Sequence, residues 1–200
     1  MPEARPPGVG ADAAWVGVDT PLALPDLQAL AANPERILRV NPLWRFETWE
    51  RPAPDRFYLR IHNQANGLIW TTSGRLERRA DGLVLHFDTG IKASTRFWLE
   101  PLPTGSRLWI LDDYGRLPEP ERQARLTEVD TSLVPWGQAL GRYLRAWARW
   151  SRLPPWRWYM DSIWLFMTPQ ARRVVRWLLW ISLADIGILL GLIWLIRLAP

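Results

Sequence analysis

The sequence has no cysteine. Disulfide frameworks, thiolate metal sites and cysteine nucleophiles are therefore excluded. It has two histidines, His62 and His86, too few for a multi-histidine metal centre. It has one lysine, Lys92, against 24 arginines; the preference reads as compositional bias, and no role is drawn from it. Gly-rich phosphate loops and serine–histidine–acid sets are missing too, so no cofactor and no metal is expected. The opening stretch, MPEARPPGVGADAAW, contains Glu3, Asp12 and several prolines and lacks the apolar core of a signal peptide. Residues 1–12 read as a flexible tail.

What is plentiful is unevenly placed. Two hundred residues is enough for one domain and an appendage. Residues 1–141 hold 16 Lys+Arg and 18 Asp+Glu, a net of -2. Residues 142–200 hold 9 Arg against Asp161 and Asp185, a net of +7, which completes the overall +5. The same C-terminal stretch carries eight of the 15 tryptophans.

From Trp177 to Ile196 the chain reads WLLWISLADIGILLGLIWLI, 20 residues between Arg176 and Arg197. At about 1.5 Å per residue this covers roughly 30 Å, the thickness of a bilayer's hydrocarbon. Its twelve Leu and Ile residues outweigh the cost of the central Asp185, about 2.5–3.5 kcal/mol on insertion scales. Arg172, Arg173 and Arg176 precede the span and only Arg197 follows. The positive-inside rule then predicts a single-pass C-terminal anchor with the N-terminal domain in the cytoplasm. Ala184, Gly187 and Gly191 share one helical face with a G-x-x-x-G spacing, and Asp185 lies beside it. These residues are candidates for pairing with a partner transmembrane helix or a second copy of the chain. Before the span, residues 151–176 read as an interfacial segment. Trp156, Trp158, Tyr159 and Trp164 suit the headgroup layer, and Arg157, Arg172 and Arg173 suit lipid phosphates.

The body covers residues 13–150. A strand-like AAWVGVDT (Ala13–Thr20) leads into two short helical stretches. One covers Asp26–Ala32; the other opens on Asn33-Pro34, an N-cap and first-turn pair, and runs to about Val40. Six strand candidates follow: Leu43–Arg51, Arg56–Gln64, Leu68–Arg78, Leu83–Thr89, Ala93–Leu102 and Arg107–Asp113. Turn residues join them, so an antiparallel meander is expected. Alternation puts Phe57, Leu59 and Ile61 on one face and His62 on the other, with His86 also outward. The outer face is expected to be mostly solvated. From about Pro118 to Trp150 the pattern is helical. Leu126, Val129, Leu133, Trp136, Leu140, Tyr143 and Trp147 form its apolar stripe, and a kink is expected at Pro135.

This order, together with VDTPLALPDLQALAANPERILRVNP and GLIWTTSGRLERRADGLVLHFDTG, resembles the START/polyketide-cyclase/Bet v 1-like (SRPBCC) superfamily. The resemblance implies an α+β helix-grip fold: a seven-stranded antiparallel curved sheet, two short helices and one long helix. It also implies an elongated cavity for a lipid, sterol, quinone, terpenoid or polyketide. By parity the cavity wall is Trp44, Phe46, Phe57, Leu59, Ile61, Trp70, Leu85, Phe87, Phe97 and Ile110, with Leu133 and Leu140 from the helix. Thr72, Thr95 and Asp112 are its polar points. The expected function is a membrane-anchored carrier or chaperone of a hydrophobic ligand. The alternatives are a cyclase- or dehydratase-type enzyme using Asp112 as an acid, and an accessory factor of a membrane complex. No catalytic set is assigned. Nucleic acid is not expected as a partner, because the arginines gather beside the apolar span while residues 1–141 are slightly acidic.

Overall fold

The structure is a computed structural model that describes residues 12–116, 118–124 and 131–198. The expected tail falls outside those residues except for Asp12. So do Leu126 and Val129 of the expected helix stripe. The chain divides into two units, Met1–Leu165 and Phe166–Pro200.

Period-two alternation gives seven strands in the first unit. They are β1 (Ala13–Thr20), β2 (Trp44–Ala53), β3 (Arg56–Asn63), β4 (Ile69–Arg79), β5 (Gly82–Phe87), β6 (Ser94–Pro101) and β7 (Ser106–Asp113). All pairs are antiparallel, in the order β1-β7-β6-β5-β4-β3-β2. Helices α1 (Leu24–Ala31) and α2 (Pro34–Arg39) carry the chain from one sheet edge to the other, and the meander then returns to pair β7 with β1. Register breaks in the β2–β3 pair, at Phe46/Thr48 and Glu50/Ala53, are bulges of the kind that bend an edge. The tight β6–β7 turn depends on Gly105: its φ is +95°, and a Cβ there would lie 2.1 Å from the Thr20 carbonyl oxygen.

The helices fill the concave side. After α3 (Glu119–Ala124), α4 (Leu133–Trp150) lies along β1. Gly137 lets it approach, since a Cβ there would come within 2.7 Å of a Val16 methyl. Trp136 donates its indole N–H to the Ile37 carbonyl at 2.9 Å, and Asn41 Nδ2 donates to Ser132 Oγ at 2.7 Å. These buried bonds fasten α4 to α2. Three expectations change in detail. The long helix begins at Leu133, so Pro135 sits in its first turn, where a missing N–H costs nothing, and makes no interior kink. Asn33 occupies the N-cap position of α2, but its side chain makes no capping bond. The outer face is not simply solvated. Val84 and Trp109 are buried there, and Trp98 stacks on Trp109 at 5.4 Å, with Arg96 over one ring and Arg107 over the other, each at 5.1 Å.

A further helix, α5 (Pro154–Ser162), belongs to the body. Trp156 meets Trp147 at 5.7 Å, Met160 is buried, and Asp161 pairs with Arg36 at 2.5 Å. Trp164, in a 3-10 turn (Trp164–Phe166), stacks on Tyr143. Of the four aromatics expected in the headgroup layer, Trp156, Tyr159 and Trp164 are thus half-buried against the core, and Trp158 alone is exposed. The second unit is α6 (Pro169–Leu198). It is the one helix among the described residues long and apolar enough to cross a membrane, over Pro169–Trp194. Every residue from Trp177 to Trp194 is exposed, including Ala184, Asp185, Gly187 and Gly191.

Candidate functional site: a buried lysine at the mouth of the grip

Strand register brings the polar points together. Thr95 on β6 lies opposite Asp112 on β7, both on the concave face, and Thr95 Oγ1 donates to Asp112 Oδ1 at 2.5 Å. The loop from β5 to β6 turns at Gly90, with φ +99°, and delivers Lys92 to the same place. Lys92 Nζ is 2.7 Å from Asp112 Oδ2. Both groups are almost fully enclosed, Lys92 at 3% exposure and Asp112 at 1%. A charge so deep needs a partner, and the pair supplies it. The ammonium also lies 5.2 Å from the Trp44 ring and 5.9 Å from the Trp70 ring, so two indole faces add cation–π attraction. The result is one donor-rich, net-neutral centre at the mouth of the grip.

This centre opens on a cavity of about 100 Å³. Asn63, Trp70, Gly90, Ile91, Lys92 and Tyr114 line it, with Asn66, Leu68 and Ile69 at its rim. Leu68 and Ile69 are exposed, so apolar side chains stand at the rim beside Asn66. Among the described residues the Trp70 indole N–H has no acceptor, although it is buried beside Gly90. Lys92 and Trp70, whose side chains line this small space, both carry hydrogen-bond donor groups.

The expected elongated wall is placed differently. Trp44, Phe57, Leu59, Ile61, Leu85, Phe87, Phe97, Ile110, Leu133 and Leu140 are all buried in one packed core. Trp44 lies 5.5 Å from Trp136, and Phe97 lies 5.7 Å from Trp136, so rings occupy the middle of the grip. Phe46 is half-buried, with Arg39 stacked over it. The Thr72 hydroxyl is committed to the backbone of Ser73 and Thr89. Of the expected wall residues, Trp70 lines this cavity directly, while Trp44, Thr95 and Asp112 hold Lys92 in place. Phe97 also borders a more open groove of about 310 Å³ beside α1. Lys92 and Tyr114 are the site residues that the strand pattern does not reveal. His62 and His86 lie on the outer face as expected, and His86 Nε2 is 2.8 Å from Glu77. Among the described residues no group of three His, Asp or Glu is placed to hold a metal.

No family model matches the sequence, and no curated protein matches it. Solved structures do match by shape. The Zhui aromatase/cyclase from Streptomyces sp. R1128 superposes with a TM-score of 0.52 at 15% identity, covering 70% of this chain and 96% of that one. Weaker likenesses are the di-domain aromatase/cyclase StfQ of the steffimycin biosynthetic pathway and an AHSA1-like protein from Aeromonas hydrophila. The first has a TM-score of 0.42 at 15% identity, over 66% of this chain and 45% of that one. The second has a TM-score of 0.39 at 14% identity, over 64% and 94%. At such identities the likeness is one of architecture, and what it shows is that the body of this chain has the helix-grip fold.

Proposed function

We propose that this protein is a membrane-anchored binding or carrier protein for an apolar molecule with an oxygen-bearing end, of the lipid, quinone, terpenoid or polyketide kind. The observation that carries the reading is the Lys92–Asp112 pair, almost fully enclosed yet opening on a cavity. The ammonium is already neutralised by its carboxylate, so the centre favours a carbonyl or hydroxyl oxygen over a second carboxylate. Lys92 and the Trp70 N–H would donate to that oxygen. A space of about 100 Å³ suits the polar end of such a molecule and not its whole length; pockets that enclose a drug-sized ligand run about 300–1,000 Å³. The apolar remainder would lie over Trp70, Leu68 and Ile69. In this reading α6 is the anchor and the body is cytoplasmic, as the arginines preceding the span argue. Anchoring keeps the site beside the bilayer in which such molecules dissolve.

Native mass spectrometry of the detergent-solubilised full chain tests the proposal. The wild type should carry a co-purified small molecule that Lys92→Met, shown to be folded by circular dichroism, does not. A wild-type protein free of any bound small molecule would refute the reading.

A further inference from the structure

The corner where α4 turns into α5 has two sides of opposite character. Its inner side is the aromatic packing of Tyr143, Trp147 and Trp156. Its outer side exposes Trp150 at 41%, Leu153 at 49% and Trp158 at 62%. Trp156 and Trp158 are two apart on one helix, roughly 200° around its axis, so docking one turns the other outward. Arg149, Arg152 and Arg157 stand exposed among these apolar side chains, and Arg142 and Arg145 continue the basic face along α4. From residue 131 to residue 160 there are these five arginines and no Asp or Glu. The next acid, Asp161, is occupied by Arg36.

We infer that this corner is a docking surface for an anionic phospholipid bilayer. The mixture is what the headgroup layer takes. Indole rings prefer a half-wet position, and guanidinium groups pair with phosphate. A purely electrostatic partner would leave three large apolar side chains without use, and a purely apolar one would strand the arginines. Ten residues lie between Trp158 and Pro169, so the tether to a bilayer-inserted α6 is short. The inference rests on the reading of α6 as an anchor. It adds that the body has a fixed lipid-facing side of its own, made by elements that also close the hydrophobic core.

The cysteine-free chain permits a clean test. Single cysteines introduced at Trp158, Leu189 and Thr71 are nitroxide-labelled in the full chain. Each protein is reconstituted into phosphatidylcholine vesicles with and without one part in four phosphatidylglycerol. Collisional relaxation by oxygen and by a water-soluble nickel complex reports depth. The label at 158 should show a severalfold higher oxygen-to-nickel ratio than the aqueous reference at 71, and most strongly in the anionic vesicles. Arg149→Glu/Arg152→Glu/Arg157→Glu should return it to the aqueous value while the label at 189 stays in lipid. An aqueous label at 158 beside a lipid-embedded label at 189 overturns the docking surface and leaves the anchor standing. An aqueous label at 189 overturns both. Embedding at 158 that ignores lipid charge and the triple substitution overturns recognition of anionic lipid. Shielding of 158 from both reagents points to a protein partner instead and also overturns it.

Discussion

Lys92 is the only cation in the chain that is not an arginine, and its surroundings give a reason. A guanidinium is a flat fork that seeks bidentate partners, whereas an ammonium is a compact point charge. The space between Trp44, Trp70 and Asp112 fits the second. Lys92→Met should therefore strand a buried carboxylate and cost about 3–5 kcal/mol in equilibrium unfolding. The double substitution Lys92→Met/Asp112→Leu should recover most of that loss. A single substitution without a measurable cost would show that the pair is not enclosed. The sequence hid this residue for a simple reason. Alternation assigns a face to strand residues, and Lys92 lies in the loop before β6, where parity says nothing. Asp112 and Thr95 were legible because they sit within strands. On the outer face, the Arg79 guanidinium and then the His86 ring hold the Glu77 carboxyl down at about 2, against an ordinary value of 4.5. Its small contribution to stability is present above about 4.5 and is lost as pH falls through about 2. NMR titration should place the Glu77 midpoint near the lower value, and Arg79→Ala should move it upward; an unmoved midpoint would assign the depression elsewhere.

Among the elements, the strands and short helices were legible to within two residues at each end. Where one face of a strand is buried, as along β3 and β6, period two is enforced. The long helix was legible in type and not in extent. Pro135 looked like a kink because its apolar stripe extends upstream to Leu126, whereas α4 starts only two residues before it. Its first bond runs from the Trp136 N–H to the Ser132 carbonyl. Pro135→Ala should therefore change stability by less than about 1 kcal/mol; an interior proline would instead yield a gain of about 3 kcal/mol on removal. The clasp of α4 on β1 rests on close approach at Gly137. Gly137→Ala should lose about 1 kcal/mol or more despite alanine's better helix propensity, because the Val16 methyls cannot retreat. Val16→Ala in the same chain should restore it, and a stabilised single variant would contradict the packing. Helix α5 was legible in composition but not in which of its sides meets the core. An aromatic, basic, amphipathic stretch has the same pattern whether its apolar face meets lipid or a protein core. The contacts of Trp156 and Met160 put one side on the core and leave Trp158 outward.

At the scale of the whole molecule, the break in hydropathy along the chain matches a division into two units, a body and an apolar helix with arginines at its start, whereas the charge turns basic earlier, from Arg142 within α4. The inside of the body was less legible. Whether a grip is hollow depends on how a few large rings turn, and Trp44, Phe97 and Trp136 turn inward and touch. Lys92 of the buried pair lines a small cavity at one end, so the proposed ligand is held by its end. The single lysine permits the most direct test. Full-length protein labelled with carbon-13 only in lysine gives one ε-methylene signal, from Lys92. The protein is stripped of co-purified small molecules in detergent and then titrated with the organic extract of the same preparation. The account predicts that the Lys92 signal moves on stripping and returns, saturably, on titration. A signal indifferent to the extract, in a protein that remains folded, would contradict it.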